Sequence, residues 1–441
     1  MMPSISIEVE VEDEIYAYQP ADNGAGPLWC HGSTVVTRHG EDVFVAGLET
    51  IAEQKPLNNT RWVLFHRNGG GDWQLIHRDL TGRTREPSPI ALSGSDLLVS
   101  TNPTLTDEGT YNEPAQPVVF RFDATNPSAD PQMEQPIWDE SDSFSEHSYR
   151  TFAADADTSG VLYLQNEGYE IAHLSLRDTD GWHAQGQIRW PWGGEYAKPQ
   201  PLRLCYPNFM LHRGSAHFLG VGDIVEPVDA WREAKKQITG REWDYVFRRL
   251  FYASSADISA QPFGFWLELA NHDATAGFTR NCDLWVDATG DCHILWIDIN
   301  TDLRIRDQFF PETRFRQSLQ YAIVRQGNIV AQHTLSEWNE FFSETDLQPT
   351  LARIHITASG QPLVLAQFQD PARGQTHWRA APLEPEPSWA EVPFDRPMGG
   401  TFLTNTVRAG STPCDYVDIV GSTNSSAGGD ALGYARLHVE M

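Results

Sequence analysis

Lysine is nearly absent: of the 32 basic residues only Lys55, Lys198, Lys235 and Lys236 are lysine, and all the others are arginine. Basic charge as a whole is scarce against 60 acidic residues, which leaves a formal net charge of −28. Nucleic acid and anionic membrane surfaces both select for a basic face, so this balance excludes them as partners. Cysteine is scarce too. Cys30, Cys205, Cys282, Cys292 and Cys414 form an odd set without a CxxC spacing, which excludes a disulfide framework and a cysteine zinc site. No run approaches the roughly 18 consecutive apolar residues of a membrane helix. Gly69-Gly-Gly71 reads as a hairpin turn rather than a phosphate loop, because no Gly-Lys-Ser/Thr follows it. The opening residues lack the basic and apolar regions of a secretory signal, and a cytoplasmic location is the expectation.

What is present is core-forming material: 40% of the 441 residues are hydrophobic and 15 are tryptophan. The length would suggest about three domains at roughly 150 residues each, but closed all-β architectures run longer as one unit. A pattern repeats along the chain: a strand, a Gly/Asp turn, a second strand, a variable loop, then two more strands. Such a period marks a propeller or solenoid. The expectation is an all-β, seven-bladed β-propeller forming a single domain over residues 1–441. Its blades fall at about 31–80, 85–138, 148–191, 203–270, 279–335, 346–393 and 401–441. The last offers only three strands, and the alternating run at 4–12 supplies the fourth, closing the ring without an open edge. Val228–Gly240 predicts a short helix inserted in blade four, with Val228, Trp231 and Ala234 on one face and Gly240 at its end. It serves either as a lid over a pocket or as padding on the blade. The most loop-like stretches are Asp107–Pro117 and Ala124–Pro136.

In a propeller the first strand of every blade begins at one mouth of the channel, so residues just ahead of those strands converge. The densest such stretch is Glu146-His147-Ser148-Tyr149-Arg150. Trp29 and His31, Arg85 and Glu86, Arg203, Tyr206 and Asn208, and Arg280, Asn281 and Asp283 join it. Second-strand ends add Asn102, Asn166 and Asp223. Any one of these side chains serves as readily to tie blades together. As a set, arginines and two histidines at one mouth suit an anion and proton transfer, and arginine holds a planar carboxylate through paired bonds. The partner expected is an anionic oligosaccharide or polysaccharide. No cofactor is expected, and a structural divalent ion such as calcium stays open. A metal role for His212 and His217, which flank a turn, is the weaker reading of that pair. The arginines at 304, 306, 314 and 316 are interleaved with acidic residues and serve equally as an anion site or a solvated face.

The repeats, with small turns such as Asp157-Thr-Ser-Gly160 and Asp287-Ala-Thr-Gly290, resemble the sialidase-like and BNR-repeat propellers. The Ser-x-Asp-x-Gly-x-Thr-Trp box of sialidases is not intact, and their early Arg-Ile-Pro motif is missing. The combination of His, Tyr and Arg also resembles the propeller-type polysaccharide lyases acting on uronate-containing glycans. That resemblance implies β-elimination, with Arg150 or Arg203 neutralising the uronate carboxylate, His147 or Tyr206 as base, and His31 or Tyr206 as acid. A tyrosine base would need neighbouring arginines to lower its pKa from about 10.

Two other classes remain open on the sequence. A glycoside hydrolase would draw on Glu86, Glu146 and Asp283 as carboxyl groups, or on Tyr206 as a sialidase-like nucleophile. A non-catalytic glycan-binding propeller would present aromatic faces, for which Trp29, Tyr149, Trp192 and Tyr196 are the candidates.

Overall fold

The computed structural model describes residues 5–106, 109–139, 144–260, 263–341 and 347–441. Residues 4 and 346, at the edges of two predicted blades, and residues 107 and 108, at the start of one predicted loop, lie outside that set. Seven four-stranded antiparallel sheets form the blades of a propeller. Their first, innermost strands are Val36–His39, Ile90–Ser93, Arg150–Asp155, Leu204–His212, Phe278–Val286, Gln348–Ile356 and Gly399–Thr404.

Blade sheets are covered on both faces by their neighbours, so their strands read as continuous apolar runs rather than alternating ones. In blade one Val43, Phe44, Val45 and Ala46 are all buried. Period-two geometry sends successive residues to opposite sides. Phe44 and Ala46 pack with Ile90, Leu97 and Val99 of blade two, whereas Val43 and Val45 pack with Leu403, Val420 and Tyr434 of blade seven. The core is therefore a ring of layers between blades.

The amino-terminal strand closes the ring, as expected, but it runs over Ser6–Tyr18 and pairs along the final strand from Ser6 opposite Glu440 to Tyr18 opposite Asp430. Its Tyr16 hydroxyl donates to the Leu48 carbonyl at 3.0 Å and accepts from the Leu48 amide at 2.8 Å, locking blade seven to blade one. The fourth strand of blade two, which has no clear sequence pattern, is the short Gln132–Glu134. All five cysteines are free thiols.

The first strands of blades four and five start earlier than the sequence pattern suggests, because each contains a bulge, between Cys205 and Asn208 and between Asn281 and Asp283. Tyr206, Asn208, Asn281 and Asp283 thus lie within these strands rather than ahead of them. A bulge inserts an unpaired residue and re-aims its side chain. Tyr206 sits in the first bulge at φ 52°, a left-handed conformation that costs a non-glycine residue about 1 kcal/mol or more.

The predicted helix forms over Asp229–Thr239, and Gly240 ends it in the left-handed conformation, donating its N–H to the Lys236 carbonyl. It belongs to an insertion between the second and third strands of blade four. A two-stranded ribbon, Ile224–Val225 with Tyr245–Val246, forms the insertion's base.

Candidate active site

The centre of the channel is filled by a polar knot. Arg353 donates to the carbonyls of His31 (2.6 Å), Phe402 (2.8 Å) and Cys282. Arg408 donates to Asp283 at 3.0 Å and to the Gly32 carbonyl at 3.2 Å, and the other Asp283 oxygen accepts the Ile354 amide. Burial, only partly offset by Asp283, lowers the Arg353 pKa to about 10. Asn208 donates to the carbonyls of Gly32 and Cys282, and Asn281 donates to the Tyr206 carbonyl at 2.6 Å. These contacts fix His31–Gly32 against the Tyr206 bulge. Asp283, Asn208 and Asn281 are therefore joined to the backbone scaffold beneath the site.

Above the knot the predicted mouth residues fall into two groups that meet at Trp29. In the first, Glu86 bonds His147 Nδ1 at 2.8 Å, and Arg85 bonds Glu146 at 3.1 Å. Arg150 is buried, and its guanidinium donates to Ser148 and to the carbonyls of Glu86 and Pro87. A carboxylate on Nδ1 orients the His147 ring and leaves Nε2 as the reactive nitrogen. Asn102 holds the Ser145 carbonyl and Asn166 accepts the Tyr149 amide, so both shape the loop that carries His147. Arg203 is paired with Asp223, which also accepts the Tyr149 hydroxyl at 3.2 Å.

The second group lines a cavity of about 240 Å³ between Trp29, His31, Tyr206, Phe247, Phe278 and Arg280. The His31 ring stacks on Tyr206 with centroids 4.3 Å apart. Trp29 stacks on Tyr149 at 4.8 Å and stands 5.6 Å from both His147 and Tyr206. Among the described residues His31 Nε2 makes no hydrogen bond of ordinary length, although the Asn281 side chain is near enough to act on the ring. Burial, reinforced by the charges of Arg280 and Arg353, holds the His31 pKa well below the ordinary histidine value, so the ring is neutral.

Arg280 differs from the other arginines of the mouth. Its guanidinium donates to the Thr401 hydroxyl at 2.9 Å, and among the described residues no carboxylate pairs with it. Burial lowers its pKa, with only weak support from Cys282 and Tyr206.

The tyrosines do not behave as a base would require. Burial first, then Cys205 and the Asp223 carboxylate, raise the Tyr206 phenol above its usual value. Burial likewise raises Tyr149. Both enter any reaction protonated. Two of the predicted aromatic faces are also placed differently: Tyr149 is buried, and Tyr196 donates to Asp273 at 2.8 Å. Trp192 is exposed. Exposed rings instead gather at Tyr111, Tyr169, Trp243 and Tyr245, where no repeat position points to them. Among the described residues no group of three His, Cys, Asp or Glu side chains is placed to hold a metal ion.

Neither a protein-family model nor a curated protein sequence matches this chain. Some solved structures are similar to it. The polysaccharide lyase Uly1 superposes with a TM-score of 0.53 at 12% identity, covering 98% of this chain and 93% of its own. An α-L-arabinanase of Penicillium chrysogenum, solved with arabinobiose, gives 0.46 at 9% identity over 97% and 98% of the two chains. An α-L-arabinofuranosidase of Fusarium graminearum gives 0.41 at 9% over 98% of each. The first likeness shows the common fold.

Proposed function

We propose that this chain is a carbohydrate-active enzyme that cleaves a uronate-bearing glycan by β-elimination in the cavity between Trp29, His31, Tyr206 and Arg280. The observation that carries this reading is the guanidinium of Arg280, which among the described residues pairs with no carboxylate, lining one cavity with a neutral histidine and a protonated tyrosine. In a chain of net charge −28, an arginine without a carboxylate at the floor of a bowl is a receptor for a ligand's carboxylate. A fold that also carries a polysaccharide lyase is compatible with it.

The chemistry follows from those three groups. A proton next to a carboxylate becomes acidic when the carboxylate charge is offset, which Arg280 does. His31 Nε2 removes the C5 proton. The electron pair forms the C4–C5 double bond as the C4–O bond breaks, and the Tyr206 hydroxyl passes its proton to the departing oxygen. His147, oriented by Glu86, bonds a hydroxyl of the sugar that rests on Trp29. Arg150 and Arg203 are engaged elsewhere, which moves the neutralising role to Arg280. Hydrolysis by paired carboxylates is disfavoured because Glu86, Glu146, Asp223 and Asp283 are each bonded to a basic side chain.

Incubation with a panel of uronate oligosaccharides tests the reading, followed by ultraviolet absorbance of the unsaturated product and by a reducing-end assay. Both signals rise together for a lyase and are lost in Arg280→Met. New reducing ends without absorbance would assign hydrolysis, and binding without either signal would assign a lectin-like role.

A further inference from the structure

A cavity of about 600 Å³, separate from the Arg280 cavity, is lined by Tyr111, Tyr169, Trp243, Tyr245, Gln200 and Asp223. Its size falls in the ~300–1,000 Å³ range of small-molecule sites. The four rings are 63%, 51%, 67% and 43% exposed, and gathered around one cavity they form a contiguous patch of the kind that marks a binding site. We propose that this cleft is a second subsite that takes neutral sugar rings of the same glycan, next to the residue whose carboxylate is held by Arg280. This proposal rests on the function proposed above.

Three observations support it. The first is continuity. Arg203 lies over the Tyr169 ring at 4.4 Å and over Tyr149 at 5.2 Å, and Tyr149 stacks on Trp29 of the Arg280 cavity. Arg85 lies over the Tyr111 ring at 5.5 Å. Two rings of the cleft, Tyr111 and Tyr169, thus rest on the same guanidiniums that organise the mouth. A glycan spanning both cavities would stay in contact with one surface.

The second is charge. The residues lining this cleft include no cation, and the Asp223 carboxylate is already paired with Arg203. Partial burial first, then Tyr169, Asp223 and Tyr111, raise the Tyr245 phenol above its usual value against the opposing charge of Arg203. The surface is neutral and amphipathic, with aromatic faces for the C–H side of a pyranose and the Gln200 amide for its hydroxyls. The guanidiniums that lie over Tyr169 and Tyr111 are already paired, Arg203 with Asp223 and Arg85 with Glu146, so a uronate would meet no unspent counter-charge here.

The third is rigidity. Trp243 and Tyr245 belong to the blade-four insertion, and Asp244 between them anchors it. Asp244 bonds Lys235 at 3.0 Å and Arg304 at 3.0 Å, and its carbonyl accepts the Glu226 amide at 2.8 Å. Lys235 is buried and also bonds Glu226 at 2.8 Å and Asp302 at 3.3 Å. Arg248 bonds Glu226 and lies under the Trp231 ring of the helix at 4.9 Å. Burial opposes ionisation of Asp244 and Asp302, but their contacts with Arg304 and Lys235 outweigh it and hold both carboxyls below the usual value. Breaking such a network at one partner strands a buried charge. This network holds Trp243 and Tyr245 in place as one wall of the cleft, so the aromatic platform is formed before the ligand arrives.

Saturation-transfer NMR with neutral xylohexaose and cellohexaose tests the proposal, using wild type, Trp243→Ala and Tyr169→Ala. The wild type transfers saturation to the ring protons of at least one probe, and each substitution reduces the signal at least threefold with the melting temperature unchanged. Signals of equal strength in wild type and both variants would overturn the proposal, as would no signal from either probe. A parallel assay on a cleavable uronate glycan of six or more residues expects KM to rise about tenfold in Trp243→Ala, with kcat little changed. The two proposals fail separately. Trp243-dependent binding without any unsaturated product retains the subsite and removes the lyase, and product formation with an unchanged KM retains the lyase and removes the subsite.

Discussion

Gly32 lies so close to Tyr206 that an added Cβ would stand 1.8 Å from the Tyr206 carbonyl oxygen and 2.7 Å from the Pro207 carbonyl carbon. Both neighbours are backbone, so neither yields by rotating a side chain. The chain segment carrying His31 and the bulge carrying Tyr206 are pressed together at this point, and the stacked ring pair above depends on it. Gly32→Ala is expected to separate the two rings. Displacing reacting groups by about 1 Å costs on the order of 100-fold in rate. The check is kcat/KM on a cleavable uronate substrate, compared with a melting curve. Full activity in a stable Gly32→Ala protein would remove the His31–Tyr206 pair from the mechanism.

Arg280 and Arg353 are both arginines at the channel, and their substitutions should part company. Arg280→Met gives up the hydrogen bond to Thr401 and relieves a half-buried charge that pairs with no carboxylate among the described residues, so stability should hold or rise slightly. Activity should fall roughly 100- to 1,000-fold through loss of the carboxylate contact. Arg353→Met takes the guanidinium donor from the buried carbonyls of His31 and Phe402, while the Cys282 carbonyl keeps its bond from Asn208. At about 1–3 kcal/mol for each such group, it should lower stability by ~3 kcal/mol or more in urea unfolding. Equal losses of stability in the two variants would show that Arg280 is part of the scaffold.

His31 is held neutral by burial and by Arg280 and Arg353. The base form of a histidine is the neutral one, so it should persist below the ordinary pKa of about 6.5. Tyr206, raised by burial, should stay protonated above its ordinary pKa of about 10. The profile of kcat/KM should therefore be flat from about pH 6 to pH 9 rather than falling at either ordinary value. An acid limb centred at pH 6.5 or above would assign the base to a histidine other than His31.

His217 carries a separate prediction for stability. Burial, and secondarily the charge of His212, lower its pKa to about 4. Its Nδ1 bonds the Tyr252 hydroxyl at 2.7 Å, and Nε2 lies 3.1 Å from the Ser215 hydroxyl; burial raises the Tyr252 phenol, which stays neutral. Below pH 6.5 the unfolded chain takes up a proton at this residue that the folded chain refuses, so stability falls with pH. The loss begins near pH 6.5 and is complete near pH 4, reaching about 3 kcal/mol. Urea unfolding at pH 7 and pH 4.5 should show a smaller difference in His217→Gln than in wild type. Identical differences would remove His217 as a source of the acid sensitivity.

The blades were legible because burial on both faces imposes continuous apolar runs, as in Val43–Ala46, and because turns such as Asp157–Gly160 recur between them. The convergence of His31, Arg85, Glu86 and His147 at one mouth was legible for the same reason, since the repeat places the entry of each blade at that mouth even where the start of the first strand is missed, as in blades four and five. The bulges were not legible. They arise from pairing with a neighbouring strand, and they moved Tyr206 into a left-handed conformation that its own sequence does not favour.

What the sequence by itself determined is therefore the closed propeller and the set of residues available at its mouth. Only the tertiary structure decided their roles, because an arginine acts as a receptor or a tie according to what already neutralises it. Arg150, Arg203 and Arg280 are the same residue type at similar blade positions. Arg150 is engaged by Ser148 and two backbone carbonyls and Arg203 by Asp223, and Arg280 is left facing the cavity. The aromatic cleft likewise joins rings from loops far apart in sequence, Tyr111, Tyr169 and Trp243, which only the packing of one blade against the next brings together.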